Sequence, residues 1–150
     1  MKIYPFLLIV VTCMGVFAQN EAADVQKTIE TFFEGFHKQD SILIKSTIAN
    51  TMVLQTIGTD KENKTVVRTK EFRAFLESIA SIPQTSSFEE KIKSYTIKID
   101  GPTTNVWSTY EFWYNGEFSH CGVNSFQLFK EGGVWKIIYL TNTRRKIGCI

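Results

Sequence analysis

Two side chains capable of acid–base chemistry, Glu111 and His120, lie on either side of an Asn115-Gly116 dipeptide. Asn-Gly favours a two-residue hairpin turn, and pairing outward from it sets Glu111 opposite His120 on one face of a sheet. A neighbouring carboxylate raises the pKa of an imidazole and orients its tautomer, which suits it to act as a general base. Glu111 and His120 are therefore the candidate catalytic residues.

Further polar and aromatic residues surround this pair once the next turn, Gly132-Gly133, is included. Pairing from that turn sets His120 opposite Arg145 and Asn124 opposite Thr141. Two tryptophans would flank the pair with flat apolar walls that suit an aromatic or ring-shaped ligand. The candidate ligand-binding residues are Trp107, Trp113, Asn124, Thr141 and Arg145.

A structural role for the same cluster is the alternative, because Glu111, His120 and Arg145 can satisfy one another's buried charges and hydrogen bonds. Glu111 and His120 would supply only two ligands to a metal, and no third histidine, cysteine or carboxylate converges on them. We therefore expect no metal and no cofactor at this site.

Three antiparallel strands between Val106 and Thr143 must position these residues. Because side chains alternate across a strand, the two hairpin registers predict which residues share a face. The concave side should carry Glu111, His120, Asn124 and Thr141, and the convex side Cys121, Ser125 and Lys136.

The preceding part of the chain contains three segments with helical spacing of apolar residues. Helices are predicted over 20–38 and over 41–49, the second capped by Asp40. A third helix begins near a Thr69 cap and ends before Pro83.

Strands are predicted over 51–57, 65–69 and 88–100. In the last of these, the alternation of apolar residues changes phase near Ser94, which predicts a bulge that bends the strand. Helices followed by mainly antiparallel strands indicate an α+β domain.

The N-terminus has the pattern of a secretory signal peptide. Lys2 precedes an apolar run over 3–11, and Val16-Phe17-Ala18 is an acceptable cleavage site. The run is too short for a comfortable membrane span, so we expect a signal peptide over 1–18 and a single domain over 19–150. A retained anchor and a lipidated Cys13 are the alternatives. The predicted location is the periplasm or the extracellular space, with no membrane association after cleavage.

Cys121 and Cys149 would remain in the mature chain. An even number of cysteines in an exported protein favours a disulfide, which would tie down the C-terminal tail, and two reduced cysteines are the alternative. A nucleophilic Cys121 is not expected, because its predicted face points away from the site and carries no base.

The charge of the chain argues against a nucleic-acid partner. The formal net charge is +2 in 150 residues. The one basic cluster, Arg144-Arg145-Lys146, is too narrow for a phosphate-binding surface.

The order of elements and three stretches of sequence resemble the nuclear transport factor 2-like superfamily, and within it the secreted SnoaL-like branch. The stretches are Trp107–Phe112, His120–Leu128 and Val134–Arg145. The resemblance covers essentially the whole mature chain. It implies a cone in which a strongly bent antiparallel or mixed sheet wraps about three N-terminal helices. A pocket then lies at the wide end, and dimers often form through the outer sheet face.

The superfamily includes isomerases, dehydratases, cyclases and epoxide hydrolases, as well as members that only bind. Its ketosteroid isomerase pattern pairs a tyrosine on the first helix with two pocket aspartates. The first helix here carries Phe32, Phe33 and Phe36 and no tyrosine, so none of those catalytic residues is carried over.

We therefore expect an exported domain that binds a small apolar or aromatic molecule. One alternative is a hydrolase, isomerase or dehydratase that uses the Glu111–His120 pair. Another is a protein-interaction module, most simply a homodimer, formed through the outer sheet face. That face would carry Val106, Tyr110, Phe112, Val123, Phe129, Ile138 and Leu140.

Overall fold

The computed structural model describes residues 13–149, which form three helices followed and interleaved by six strands. The helices are α1 (Cys13–His37), α2 (Ser41–Ser46) and α3 (Phe72–Ala80). The strands are β1 (Ile48–Thr59), β2 (Thr65–Lys70), β3 (Phe88–Asp100), β4 (Thr103–Tyr114), β5 (Glu117–Glu131) and β6 (Val134–Thr143).

The predicted signal peptide over 1–18 lies mostly outside the described residues. Only its last part, 13–18, falls within them, as the start of α1. Among residues 13–149, no helix combines the length and the apolar character that a bilayer crossing requires.

The six strands form one sheet in the order β2-β1-β6-β5-β4-β3. β1 and β6 run parallel, and every other pair is antiparallel. The sheet is open and bends around the helices, so the predicted α+β cone with a mixed sheet is confirmed.

The core lies between α1 and the inner face of the sheet. Val25 and Ile29 of α1 are fully buried, as are Phe126 and Leu128 of β5 and Ile137 of β6. Each such side chain contributes roughly 1.5–3 kcal/mol through burial. These residues form the core between the apolar face of α1 and the sheet.

Local sequence signals set the element ends. The carboxylate of Asp40 accepts hydrogen bonds from the Ile42 and Leu43 N–H groups at 2.9 and 3.0 Å, which confirms the predicted cap of α2. Asn115 and Gly116 both have positive φ, at 50° and 79°, as a two-residue hairpin requires. Both predicted hairpins, β4–β5 and β5–β6, are present.

Three one-residue bulges interrupt the antiparallel pairing. In β3, Ile92 pairs with Tyr110 and Ser94 pairs with Thr109, so the pairing skips Lys93. This is the bulge that the phase change near Ser94 predicted, and it bends β3 around the helices. Gly122 permits a close approach of the end of β6 to β5, because a Cβ there would lie 1.9 Å from the Thr143 carbonyl oxygen.

The other two bulges make part of the predicted register wrong. Pairing across β4–β5 skips Ser119, which places Phe112 opposite His120 and Glu111 opposite Cys121. Pairing across β5–β6 skips Ile138 and moves the later residues of β6 by one position. A one-residue shift turns every following side chain to the other face of a sheet.

A disulfide joins Cys121 to Cys149, so the alternative of two reduced cysteines is not what the structure shows. Cys121 and Arg145 also exchange backbone hydrogen bonds, each of 2.9 Å. Together these contacts hold the segment that follows β6 against β5.

Candidate functional site

A cavity of about 220 Å³ lies between the inner face of the sheet and helices α1 and α3. One part of its wall is apolar and rich in aromatic rings; it consists of Phe33, Phe36, Leu54, Phe75, Ile79, Ile82, Phe112 and Leu140. The other part is polar and consists of Thr56, Lys70, Ser78, Glu90, Tyr110, His120, Asn124, Asn142 and Arg144. An apolar pocket with a few convergent polar groups is the usual form of a small-molecule site.

Glu90 and Asn124 form the centre of the polar wall. The Asn124 side-chain amide donates a hydrogen bond of 2.5 Å to a Glu90 carboxylate oxygen, and Asn124 itself is only 2% exposed. Burial raises the pKa of Glu90 to about 7, against the smaller opposing effects of the Asn124 hydrogen bond and the positive charge of Arg144. Glu90 therefore exchanges its proton near neutral pH.

The bulged edge strand β3 and helix α1 position Glu90. Phe88, Glu90 and Ile92 alternate with outward residues before the bulge, so all three point inward. The Glu90 N–H donates a hydrogen bond of 2.9 Å to His37 Nε2, at the end of α1. That bond requires His37 to carry its proton on Nδ1, and burial lowers the pKa of His37, opposed by Glu89. Neutral His37 thus anchors the backbone of Glu90.

His120 belongs to an aromatic corner of the polar wall. Its ring stacks on Phe112, with ring centres 4.9 Å apart, and meets Tyr110 edge-on at 5.9 Å. Burial lowers the pKa of His120, and the charges of Arg144 and Lys146 lower it further, so the imidazole is neutral at pH 7. It can accept or donate a hydrogen bond without carrying charge.

Tyr110 is fixed by a hydrogen bond of 2.8 Å from its hydroxyl to the Thr143 carbonyl oxygen. To reach it, the ring passes over Gly122, where a Cβ would come within 2.8 Å of the ring. Burial raises the pKa of Tyr110 well above its ordinary value, so its hydroxyl stays protonated. Residue 122 must therefore be glycine, because the Tyr110 ring and the Thr143 carbonyl oxygen occupy the space that a side chain would need.

Two cations, Lys70 and Arg144, complete the polar wall. Lys70 donates a hydrogen bond of 2.8 Å to the Ser78 hydroxyl. Within residues 13–149, neither cation takes part in an ion pair, and Glu90 is the sole carboxylic acid that lines the cavity. The same part of the chain contains no cluster of three or more histidine, cysteine or acidic residues suited to a metal.

Comparison with solved structures identifies the architecture. An NTF2-like (nuclear transport factor 2-like) protein of unknown function from Pseudomonas putida superposes with a TM-score of 0.67 at 14% identity, covering 83% of this chain and 87% of that one. This chain has the NTF2-like fold. A protein of unknown function from Mycobacterium tuberculosis gives a TM-score of 0.72 at 13% identity, with 93% and 80% of the two chains covered.

A third similar structure, from Novosphingobium aromaticivorans, is provisionally named a scytalone dehydratase. It gives a TM-score of 0.68 at 11% identity and covers 88% of this chain and 89% of that one. No protein-family model matches the sequence, and a search of curated proteins finds no significant relative. At these identities the comparisons define the fold.

Two of the predicted site residues, His120 and Asn124, line the cavity. Glu111 does not, because the Ser119 bulge turns it outward. Its carboxylate accepts a hydrogen bond of 3.2 Å from the Trp113 indole and lies 3.6 Å from the Lys93 ammonium. The predicted Glu111–His120 pair is therefore wrong.

The remaining predicted ligand-binding residues also lie outside the cavity. Trp107 is 53% exposed on the convex face, and Trp113 lies on the same face with the Lys91 ammonium 4.4 Å from its ring centre. The Ile138 bulge turns Thr141 and Arg145 away from the cavity. The Arg145 side chain instead donates a hydrogen bond of 3.3 Å to the Gly148 carbonyl oxygen. Their inner-facing neighbours, Asn142 and Arg144, line the cavity in their place.

The predicted composition of the outer face changes for the same reason. Val106, Tyr110, Phe112 and Leu140 belong to the inner side, where Tyr110, Phe112 and Leu140 line the cavity. Glu90 and Arg144 also line the cavity and are not among the predicted site residues. Glu90 was detectable, since it shares the parity of the apolar residues Phe88 and Ile92; Arg144 was not, because its orientation depends on a bulge without a sequence signal.

Proposed function

We propose that this NTF2-like domain binds a small, largely apolar molecule in the cavity between its sheet and its helices. The observation that carries this proposal is a cavity of about 220 Å³ whose wall is aromatic on one side and carries the hydrogen-bonded Glu90–Asn124 pair on the other. An engineered cavity of about 150 Å³ accepts benzene, whereas drug-sized ligands occupy about 300–1,000 Å³. The volume thus favours a ligand with a single ring, or a chain of similar size.

The polar wall distinguishes this cavity from a packing defect. A carboxylic acid in an apolar environment destabilises a fold unless a partner or a ligand compensates. Among the described residues, the Glu90 carboxyl group accepts one side-chain hydrogen bond, from Asn124, and neither Glu90, Lys70 nor Arg144 takes part in an ion pair. This arrangement supports a binding site more than a filled core.

A tryptophan placed at the edge of the cavity tests this proposal. Ser78 on α3 lines the cavity, and Ala80 on the same helix is exposed and does not. Ser78→Trp should fill the opening and weaken binding of benzamide, phenol or indole at least about tenfold, which corresponds to about 1.4 kcal/mol. Ala80→Trp should leave binding unchanged. Differential scanning fluorimetry reports the binding, because a ligand at about 100 times Kd stabilises the fold by about 2.7 kcal/mol.

Absence of any stabilisation by single-ring compounds, combined with native mass spectra that show no copurified molecule, would contradict the binding proposal. Equal binding by wild type and Ser78→Trp would place the ligand elsewhere on the protein.

We also propose that the domain is exported and belongs to the SnoaL-like branch. The N-terminal apolar run supports export, and so does the Cys121–Cys149 disulfide, because such bridges persist mainly in oxidising compartments. Fractionation of cells that express the C-terminally tagged full chain checks the export. Processed protein in the periplasm or medium is expected, and full-length protein in the cytosol would contradict export.

Proton-transfer catalysis is a second candidate function. The observation that favours it is a carboxyl group, Glu90, with a pKa of about 7 on the wall of an aromatic cavity, since a general base works best when its pKa is near the operating pH. In deuterated buffer at pH 7, a small cyclic ketone should exchange its α-protons faster with wild type than with Glu90→Gln. Glu89→Gln, an exposed neighbour, is the control. Equal rates for all three proteins would exclude this function.

A further inference from the structure

We propose that the ligand of this cavity is a small organic anion, an aromatic or similarly compact carboxylic acid whose carboxylate binds Arg144. Its apolar body would lie against the phenylalanines of α1 and α3. This inference rests on the proposed binding function and names the class of ligand.

The charges of the cavity wall support an anionic ligand. Two cations, Lys70 and Arg144, face a single carboxylic acid, Glu90, and no ion pair neutralises either cation within the described residues. Glu90 carries only part of a negative charge at neutral pH, because its pKa is about 7. The wall is therefore net positive in the state that would receive a ligand.

The guanidinium of Arg144 is suited to hold the carboxylate. Arginine presents a planar set of donors that matches a carboxylate in two parallel hydrogen bonds. Arg144 lines the cavity at its solvent-exposed end, and its positive charge lowers the pKa of Glu90, Tyr110 and His120. The disulfide and the Cys121–Arg145 backbone bonds hold the segment that carries it.

The apolar wall fits a flat ring. Phe36 and Phe75 are parallel, with an interplanar angle of 6° and ring centres 6.2 Å apart, and Phe33 meets Phe36 edge-on at 6.4 Å. Aromatic rings gain about 0.5–1.5 kcal/mol from such offset or edge contacts beyond the effect of burial. A free inorganic anion would use the polar wall and leave these rings unpaired, which favours an anion attached to an apolar body.

Glu90 should couple binding to pH. Two carboxylates in one cavity cannot both ionise without repulsion, so a bound carboxylate raises the pKa of Glu90 further, and binding takes up a proton. Affinity should then rise as the pH falls from 8 to 6, where the ligand itself, with a pKa of about 4, stays ionised.

Other groups face Glu90 from each element around it. They are His37 of α1 on its backbone N–H, Tyr95 of β3, Tyr110 of β4, His120 and Asn124 of β5, and Arg144 after β6. Lys70 of β2 lines the same cavity. Burial raises the pKa of both tyrosines, so their hydroxyls stay protonated between pH 6 and 8. Burial lowers the pKa of both histidines.

Calorimetric titration of the full chain with three probes separates the contribution of the ligand's ring to the affinity from that of its carboxylate. Benzoate supplies ring and carboxylate, benzamide supplies the ring alone, and acetate supplies the carboxylate alone. Benzoate should bind wild type about ten- to a hundredfold more tightly than benzamide, the range expected for a charge-assisted hydrogen bond. Acetate should bind more weakly than benzoate by at least a similar factor, because it lacks the ring.

Three variants locate the interaction. Arg144→Gln should remove the preference for benzoate over benzamide, whereas Arg145→Gln, the adjacent arginine outside the cavity, should retain it. Glu90→Gln should bind benzoate with an affinity that no longer changes between pH 6 and 8. A thermal melt of each variant confirms folding before titration.

The outcomes separate this inference from the binding proposal. Benzamide binding as tightly as benzoate would overturn the anionic ligand while leaving single-ring binding intact. Failure of every ring compound to bind would overturn both. An equal loss of benzoate affinity in Arg144→Gln and Arg145→Gln would show that only the overall charge attracts the anion, and would also overturn the assignment to Arg144.

Discussion

Replacing Glu90 with glutamine should make the protein more stable at alkaline pH. Glutamine resembles the protonated carboxyl group, keeps an oxygen to accept the Asn124 hydrogen bond, and cannot ionise. The folded protein holds the Glu90 proton up to a pKa of about 7, whereas the unfolded chain releases it near the ordinary value of 4.5. Wild type therefore binds more protons when folded, and its stability falls as the pH rises from about 4.5 to about 7.

The size of the effect follows from the two pKa values. At about 1.4 kcal/mol per pKa unit, the difference between 4.5 and about 7 corresponds to roughly 3 kcal/mol at full ionisation. Glu90→Gln should thus equal wild type near pH 4.5 and exceed its unfolding free energy by up to about 3 kcal/mol at pH 8. Above pH 7 the gap should stay constant.

Urea unfolding at intervals between pH 4.5 and pH 8, followed by intrinsic fluorescence, measures this gap. His37 and His120 act in the opposite direction, because burial lowers the pKa of each and stability is lost as the pH falls below 6.5. Their contribution is common to both proteins and cancels in the difference. Glu117→Gln, which removes an exposed carboxylate on β5, is the control and should show no such gap.

Parallel stability curves for wild type and Glu90→Gln over this range would refute the reasoning. An NMR titration of the Glu90 carboxyl carbon with a midpoint near 4.5 would do the same, and would mean that water reaches the group freely.

Three further predictions concern the framework around the site. Gly122→Ala should destabilise the fold by about 3 kcal/mol or more in urea, because its Cβ would lie 1.9 Å from the Thr143 carbonyl oxygen, while Tyr110→Phe should cost only about 1 kcal/mol for one hydrogen bond. Replacing Cys121 and Cys149 by serine together should reduce stability by about 3–4 kcal/mol, the entropy expected for a loop of 28 residues, and a loss below about 1 kcal/mol would show that the bridge constrains little. Light scattering should show the molar mass of a homodimer formed through the outer sheet face, whose interface should bury well above about 1,000 Å², and a monomer at high micromolar concentration would contradict it.

The sequence predicts those parts of the fold that depend on local chemistry. The Asn115-Gly116 turn needs residues that accept positive φ, and Asp40 caps α2 through its own side chain. The bulge in β3 is equally visible, because one face of that strand is apolar and the other polar, so an extra residue shows as a change of phase.

The bulge at Ser119 leaves no such trace. Strand β4 carries large apolar residues on both faces: Phe112 and Tyr110 point inward, while Trp113 and Trp107 point outward. A one-residue shift therefore exchanges one acceptable apolar face for another, and hydrophobicity cannot choose between the registers. Tertiary packing chooses between them, through the stacking of Phe112 on His120 and the passage of Tyr110 over Gly122.

The sequence predicts two of the residues that line the cavity, His120 and Asn124, but not the residues that surround them. His120 and Asn124 are both on β5, the strand that the two hairpins share, and both follow the Ser119 bulge. The Ile138 bulge is on β6 and does not change their orientation, so their inward orientation follows from the alternation along β5 alone. The partners of these residues come from β3 and from the end of β6, and depend on bulges in both. A charged residue such as Glu90 in an edge strand also suggests solvent exposure, although α1 covers that edge here.

The Ser119 bulge also bears on how proteins with this fold diversify. Deleting that one residue would place Glu111 and Thr109 on the cavity wall and send Phe112 and Tyr110 outward, with no substitution in β4. A single-codon insertion or deletion can thus replace all of the cavity wall that one strand contributes in one evolutionary step. An alignment of distant relatives that omits such a gap matches the cavity residues of one protein with the surface residues of another.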